Sequence, residues 1–391
     1  MKAVGIVAEY NPFHNGHLHH LQTTKNLTSL PVIAVMSGSF MQRGEPAFLD
    51  KWQRARLAVE NGVDLVVELP AAFSLRSAEF FATGAVKILE ATGCVTHLSC
   101  GTENPATNFV ELAKIIKVSD FNNALQKFLA EGLPYASAYE KALQNLAGAK
   151  NLNTPNDILA LEYAKALQNT SITPIFIQRE QANYNEEKIS GSIASATAIR
   201  KACLQSEASS VKQAVPLNVW HALENHCGTN EKLLWNLLSY RLRLLTASEI
   251  AEQCQCTEGL ENLLKQVANC TSLDEAVALC TKKRYPKARI RRLFMQLLLG
   301  KQRSHLEQAE PAYIRVLAFN DVGRQLLKEM KNTCTLPIIT KLGKYPANGQ
   351  SAAFAQQIEM DLTASDVLAL LQSTPSISGS DYLNSPYYLQ K

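Results

Sequence analysis

Residues 3–17 read Ala3-Val4-Gly5-Ile6-Val7-Ala8-Glu9-Tyr10-Asn11-Pro12-Phe13-His14-Asn15-Gly16-His17. Ala3 to Ala8 is a short unbroken apolar run, the pattern of a central parallel strand covered on both faces. Asn11-Pro12 is a turn signal. From Gly16 a helix is expected to run through Leu18 and Leu21 toward Leu27. The start of a helix carries partial positive charge and unpaired N–H donors, so it attracts anions. Gly16, without a side chain, lets a ligand lie on the backbone. His14 and His17 are one helical turn apart, so both rings can face one side and hydrogen-bond a phosphate whose charge grows in a transition state. Two rival readings stand beside this one: surface histidines without a role, and a metal site, because His14, His17, His19 and His20 crowd together. No carboxylate lies between the two histidines at the spacing of a His-Glu-x-x-His motif, and no metal ligand is assigned.

Outward from this stretch the first half alternates strand and helix. Pro31 to Met36, Val63 to Leu69 and Val95 to Cys100 read as strands. Asp50 caps a helix through Glu60, with Gln53 at the capping-box position, and Ser77 to Thr92 reads as a helix ended by Gly93. Alternation of this kind implies an α/β fold with a parallel sheet and right-handed crossovers, whose ligands bind beyond the carboxyl ends of the strands. Residues 107–170 read mainly as helices, Ile172 to Gln178 as a further strand, and Arg179 to Ser195 as a mobile loop before a helix near Ala196. The fold class is a Rossmann-like parallel-sheet domain, residues 1–205, followed by a mainly helical, basic domain, residues 206–391. The segment Ser373 to Ser380 is turn-rich and reads as a loop or frayed end.

Composition sets wide limits. The chain has 391 residues, 46% of them hydrophobic, and a net charge of +4, too mild for charge alone to name a nucleic-acid partner. Nine cysteines without a Cys-x-x-Cys pair, and Cys254-Gln255-Cys256 too close for zinc spacing, fit reduced, mostly buried thiols. The apolar run after Met1-Lys2 is too short for a signal peptide, and no run approaches a membrane span. A cytoplasmic protein with no membrane partner is the expectation; oligomeric state is not legible.

Further candidate sites stand out. In Ile189 to Arg200, hydroxyl and small residues precede a helix start with Arg200 one turn inside, a loop able to close over phosphates; an ordinary capped helix is the plain alternative. Arg179 ends a strand within reach of a phosphate or an adenine ring. Asn156 follows Pro155 at a helix start, where capping and nucleotide contact fit equally. Gln42-Arg43-Gly44-Glu45 reads either as a contact for the acceptor or small substrate, or as a salt-bridged loop. Glu9 reads as a magnesium ligand, a histidine partner, or a plain loop carboxylate. Finally, Lys282, Lys283, Arg284, Lys287, Arg289, Arg291 and Arg292 cluster around Tyr285, with no acidic residue from Ala276 to Leu306. A helix from Pro286 would bury Ile290, Phe294, Leu297 and Leu298 and leave Arg289, Arg291 and Arg292 on its flanks and outer face. Clustered cations beside an aromatic ring suit an RNA backbone and a stacked base; a solvated basic helix is the alternative.

Asn-Pro-Phe-His-Asn-Gly-His is similar to the signature of the HIGH-type nucleotidyltransferase superfamily. Together with Met36 to Ala47, Asp64 to Pro70, Ser77 to Ala82 and Pro155 to Ala160, it resembles the bacterial tRNA(Met) cytidine acetate ligase family. The resemblance implies an ATP site over Val7, Ala8, Glu9, Tyr10, Asn11, Pro12, Phe13, His14, Asn15, Gly16, His17, Leu18, His19 and His20, with Gly101, Asn156, Arg179, Ser195 and Thr197. His14, His17 and Arg200 would be catalytic, and Lys282, Lys283, Arg284, Tyr285, Arg289, Arg291 and Arg292 would bind RNA. It further implies ATP with magnesium, acetate, and elongator tRNA(Met), whose wobble cytidine would become N4-acetylcytidine. Composition and spacing reach only nucleotide activation and RNA binding. A small-molecule adenylyltransferase and a non-catalytic RNA-binding protein share many of these features.

Overall fold

The structure is a computed structural model that describes residues 1–133, 135–147, 154–180, 189, 191–205, 207–224, 226, 228–256, 259–344, 350–373 and 377–390. Most of the loop expected between Arg179 and Ser195 therefore lies outside the described residues, as do Cys227 and Pro375.

Five parallel strands come from the first half of the chain: β1 (Ala3–Ala8), β2 (Val32–Ser37), β3 (Leu65–Leu69), β4 (Val95–Thr102) and β5 (Thr173–Gln178). Their spatial order is β5-β4-β1-β2-β3. The chain moves outward from β1 through β2 to β3, then crosses back to place β4 on the other side of β1. The β1/β4 boundary is thus the switch point where loops diverge and leave a crevice. β2 and β3 are buried along their whole length, which accounts for their unbroken apolar sequences. β1 loses cover at Val7 and Ala8, where the crevice opens. β4 continues two residues past the expected end, so Gly101 and Thr102 are strand residues paired with Ile177 and Gln178.

Beyond residue 205 helices continue as far as Arg303–Leu306. The chain then returns to the sheet, where the sequence pattern predicts only further helices. β6 (Ile314–Asn320) lies antiparallel to β3, and β7 (Ile338–Ile339) and β8 (Tyr387–Leu389) each pair with β6. β6 escapes notice because Arg315 interrupts its apolar run. Arg315 is nevertheless only 2% exposed. It donates to Asp381 and lies 3.7 Å from Glu68, while Lys51 bonds Glu68 at 2.7 Å and Asp381 at 2.9 Å. Two cations and two carboxylates compensate one another in the interior, with further bonds to Asp381 from Trp52 and Ser365. The segment expected as a loop or frayed end, of which Thr374, Pro375 and Ser376 lie outside the described residues, leads into an anchored helix, Ser380–Leu383, whose Asp381 is buried.

Among the described residues no helix is long and apolar enough to cross a membrane. The described cysteines are free thiols. Removing one member of a buried ionic group strands its partners. Asp381→Ala is expected to lower unfolding free energy by about 3–5 kcal/mol, read as a fall in the urea midpoint; an unchanged midpoint would refute the anchoring role.

Candidate active site

His14 is the N-cap of the signature helix, Asn15–Thr28. The His17 N–H donates to His14 Nδ1, and the His14 N–H donates to His17 Nδ1, each at 3.3 Å. This reciprocal capping satisfies two backbone donors. It also sets the chemistry of both rings: a neutral imidazole that accepts at Nδ1 carries its proton on Nε2. The rings stack with centroids 3.7 Å apart, and His17 meets the edge of Tyr10 at 5.0 Å. Burial, then the nearby Arg179 charge, brings the His14 pKa down to about 3. Burial and the His14, Arg179 and His20 charges push His17 well down as well. The turn thus presents two neutral Nε2–H donors beside a helix start whose first turn has no acidic residue.

The loops around this turn are held by residues that no sequence motif marks. Arg54 is 1% exposed. Its guanidinium donates to the carbonyls of Glu9, Ser37, Gly38 and Leu49, binding the carboxyl ends of β1 and β2 together. Burial lowers its pKa to about 10, still cationic at neutral pH. The available signal is the pattern: Lys51 and Arg54 share a helical stripe with Ala55, Ala58 and Val59, all buried. Glu9 accepts from the Gln42 N–H at 2.7 Å, and burial raises its pKa. Asn15 donates to Ser192 O at 2.8 Å and to Gln213 O at 2.9 Å, tying the signature helix to the second expected phosphate loop. A Cβ on Gly16 would stand 3.0 Å from His14 Cε1 and 3.7 Å from Ile193 Cγ2, so a side chain here would crowd the His14 ring.

Arg200 joins the same assembly, donating to Asn11 O at 2.8 Å and to Glu45 Oε2 at 2.7 Å. Of the two readings of the Gln42–Glu45 loop, the salt-bridged one describes Glu45. Ser195 is the N-cap of the Ala196–Leu204 helix, and Thr197 is an exposed residue that accepts from Arg200 at 3.4 Å.

The opposite wall comes from β4 and β5. His20 bonds the Ser99 hydroxyl at 3.0 Å, and burial followed by Arg179 lowers its pKa to about 4. His19 lies 3.7 Å from Glu180. Arg179 is 3.6 Å from Glu103, and its Cγ would be 3.0 Å from a Cβ on Gly101. Asn156 donates to Glu103 at 2.6 Å. The helix cap is Thr154, with Pro155 at the first helical position; this removes the capping reading of Asn156. Asp157, buried, accepts from the Thr102 hydroxyl, the Asn104 amide and the Glu103 N–H, fixing the loop after β4.

The basic segment divides in two. Lys282, Lys283, Arg284 and Lys287 are exposed, and Arg289 lies over the Tyr285 ring at 5.3 Å. Lys287–Leu299 forms a helix whose N-terminus has neither a side-chain cap nor an acidic residue in its first turn. Arg291 and Arg292, expected on the flanks and outer face, turn toward the protein. Arg291 bonds Asp274 at 3.1 Å, and Arg292 donates to Gln42 O at 3.1 Å. The reason is Gly44, at φ 74°, which packs on this helix so closely that a Cβ would lie 2.3 Å from Arg292 N. The basic helix therefore touches the loop whose Glu45 holds Arg200.

The family profile described as HIGH Nucleotidyl Transferase matches residues 1–381. A protein of Clostridium perfringens named tRNA(Met) cytidine acetate ligase is 37% identical over 99% of both chains. One of Leuconostoc mesenteroides with the same name is 38% identical over the full length of both. This chain belongs to the tRNA(Met) cytidine acetate ligase family. The solved structure of Thermotoga maritima TmcAL bound with alpha-thio ATP is 30% identical, with TM-score 0.91 over all of both chains, and the apo form is 31% identical at 0.92. The nucleotidyltransferase fold expected from the signature is therefore the fold of the family.

No group of three or more His, Cys, Asp or Glu able to hold a metal occurs among the described residues. Glu9 already accepts the Gln42 N–H at 2.7 Å. These side chains do not fit a magnesium held by the protein itself.

The lowered histidine pKa values have a stability consequence. The unfolded chain takes up protons below about pH 6.5 that folded His14 refuses until about pH 3, so stability falls as pH drops through that window. His14 alone accounts for about 2 kcal/mol between pH 7 and pH 5. His14→Asn keeps a good N-cap and removes the titration. Urea unfolding at the two pH values is expected to show a correspondingly shallower acid loss in the variant; equal losses would contradict a buried neutral His14.

Proposed function

We propose that this chain is an ATP-dependent tRNA ligase that makes acetyl-adenylate from acetate and transfers the acetyl group to the N4 amine of the wobble cytidine of elongator tRNA(Met). The observation that carries the reading is the pair of stacked, neutral imidazoles at a helix start, in a chain whose full-length relatives bear the ligase name.

In the first step an acetate oxygen bonds to the α-phosphorus of ATP and the bond to the β-phosphate oxygen breaks, releasing pyrophosphate. Acetate is ionised at neutral pH, so the residues supply alignment and charge stabilisation rather than a base. The Nε2–H groups of His14 and His17 donate to the α-phosphate as its charge grows. Arg179 faces the same crevice from β5 and adds positive potential. Ser195, Thr197 and Arg200 bound its far side, with Arg200 exchanging Glu45 for an outgoing phosphate. A magnesium ion carried by the triphosphate, rather than held by these side chains, would shield the charge of the leaving pyrophosphate. In the second step the cytidine N4 attacks the acetyl carbonyl, the bond to AMP breaks, and the amine loses its proton. Lys282, Lys283, Arg284, Lys287 and Arg289, with Tyr285, hold the RNA. The compartment is the cytoplasm.

Isotope exchange between pyrophosphate and ATP tests the first step and should require acetate. His17→Ala is expected to cut this exchange at least about a hundredfold while RNA affinity stays within about twofold. Exchange that needs a mononucleotide instead would identify a small-molecule adenylyltransferase; RNA binding without exchange would identify a binding protein. Replacing Lys282, Lys283 and Lys287 with Ala should weaken RNA binding and lower the slope of log affinity against log salt by about 0.7–0.9 for each phosphate no longer neutralised. An unaltered slope removes the segment from the interface.

A further inference from the structure

We propose that a cavity beside the basic helix receives one amino-bearing nucleobase of the RNA, an assignment that rests on the RNA-ligase reading above. The cavity measures about 230 Å³ and is lined by Glu231, Lys232 and Trp235 of the Glu231–Leu244 helix, by Leu273 and Asp274 at the start of the Leu273–Cys280 helix, and by Arg291. It is smaller than the ~300–1,000 Å³ of sites for drug-sized ligands, a size suited to a single base.

Its chemistry is that of a base edge rather than a phosphate. Trp235 and Leu273 supply an apolar wall, with the Trp235 indole N–H already given to Cys270 O. Arg291 lines the cavity, and its Nη1 donates to the Asp274 carboxylate at 3.1 Å. A donor and an acceptor thus stand side by side. An amino-bearing base offers the matching pair on its edge: an exocyclic amine to donate and an adjacent ring atom or carbonyl to accept. The carboxylates of Glu231 and Asp274 balance the Lys232 and Arg291 charges and offer acceptors to such an amine.

Position supports the assignment. Lys287 and Arg291 are one turn apart on the same helix face. A strand tracking the exposed cations at the helix start can therefore lower a base toward Arg291. The next residue, Arg292, bonds Gln42 O, and Gly44 rests on the Arg291–Arg292 backbone. Arg291 thus joins the cavity to the helix backbone on which Gly44 rests.

The test is fluorescence anisotropy with the anticodon stem-loop of elongator tRNA(Met), using the full-length protein. Asp274→Ala removes a negative charge, so a phosphate site predicts tighter binding. The base site predicts affinity weaker by at least about fivefold, an unchanged salt slope, and unchanged acetate-dependent exchange. Lys232→Trp, a surface change that narrows the cavity, should weaken binding likewise. Among stem-loops made abasic at one loop position each, one should lose affinity for the wild type and bind Asp274→Ala no more weakly still. Tighter or unchanged binding by Asp274→Ala overturns the proposal, as does additivity at every loop position. Failure of the wild type to bind any stem-loop overturns the RNA reading itself, and the base site with it.

Discussion

The guanidinium of Arg54 is the constraint on which the crevice depends. Its donors reach carbonyls at the carboxyl ends of β1 and β2 and in the loop before its own helix. Parallel strands leave such carbonyls unpaired where their loops diverge, and an unpaired buried carbonyl costs about 1–3 kcal/mol. One planar cation with five donors answers several at once. The loops can therefore part sharply, one toward the signature turn and the other toward Gly44, without collapsing into the space between them.

A second buried ionic group ties the far edge of the sheet to the end of the chain. Lys51 and Arg54 are one turn apart on one helix, so the same element braces the crevice on one side and the Glu68–Arg315–Asp381 group on the other. Asp381 supplies a carboxylate that Lys51 and Arg315 need and that the first half of the chain lacks at this point. The late strands β6 and β8 are held in the sheet by charge matching as well as by apolar burial.

The two expected sites prove to be neighbours rather than separate stations. Gly44 permits close approach of the basic helix, and the loop that carries it reaches Arg292 through Gln42, Arg200 through Glu45, and Glu9 through the Gln42 N–H. A ligand touching the basic helix is therefore two residues removed from the arginine that braces the signature turn.

The strand–turn–helix of residues 3–28, the alternating first half and the buried stripe of the basic helix were legible because each rests on local periodicity and turn chemistry. Sequence also placed the two histidines one turn apart, and composition sufficed to group the basic residues. Their protonation and tautomer were not legible, because both follow from burial and from backbone donors that align only once the helix forms. Nor were the partners of Arg54, Asn15, Arg200 and Arg292, or the return of β6 to the sheet. Each of these joins residues distant in the chain, and a local pattern carries no record of which distant carbonyl or carboxylate will stand opposite a charge. The sequence by itself determined which segments of the first half become strands and helices, and that two histidines would stand at a helix start. Tertiary structure alone decided which charges face inward, because their desolvation is tolerable only where the fold delivers a partner.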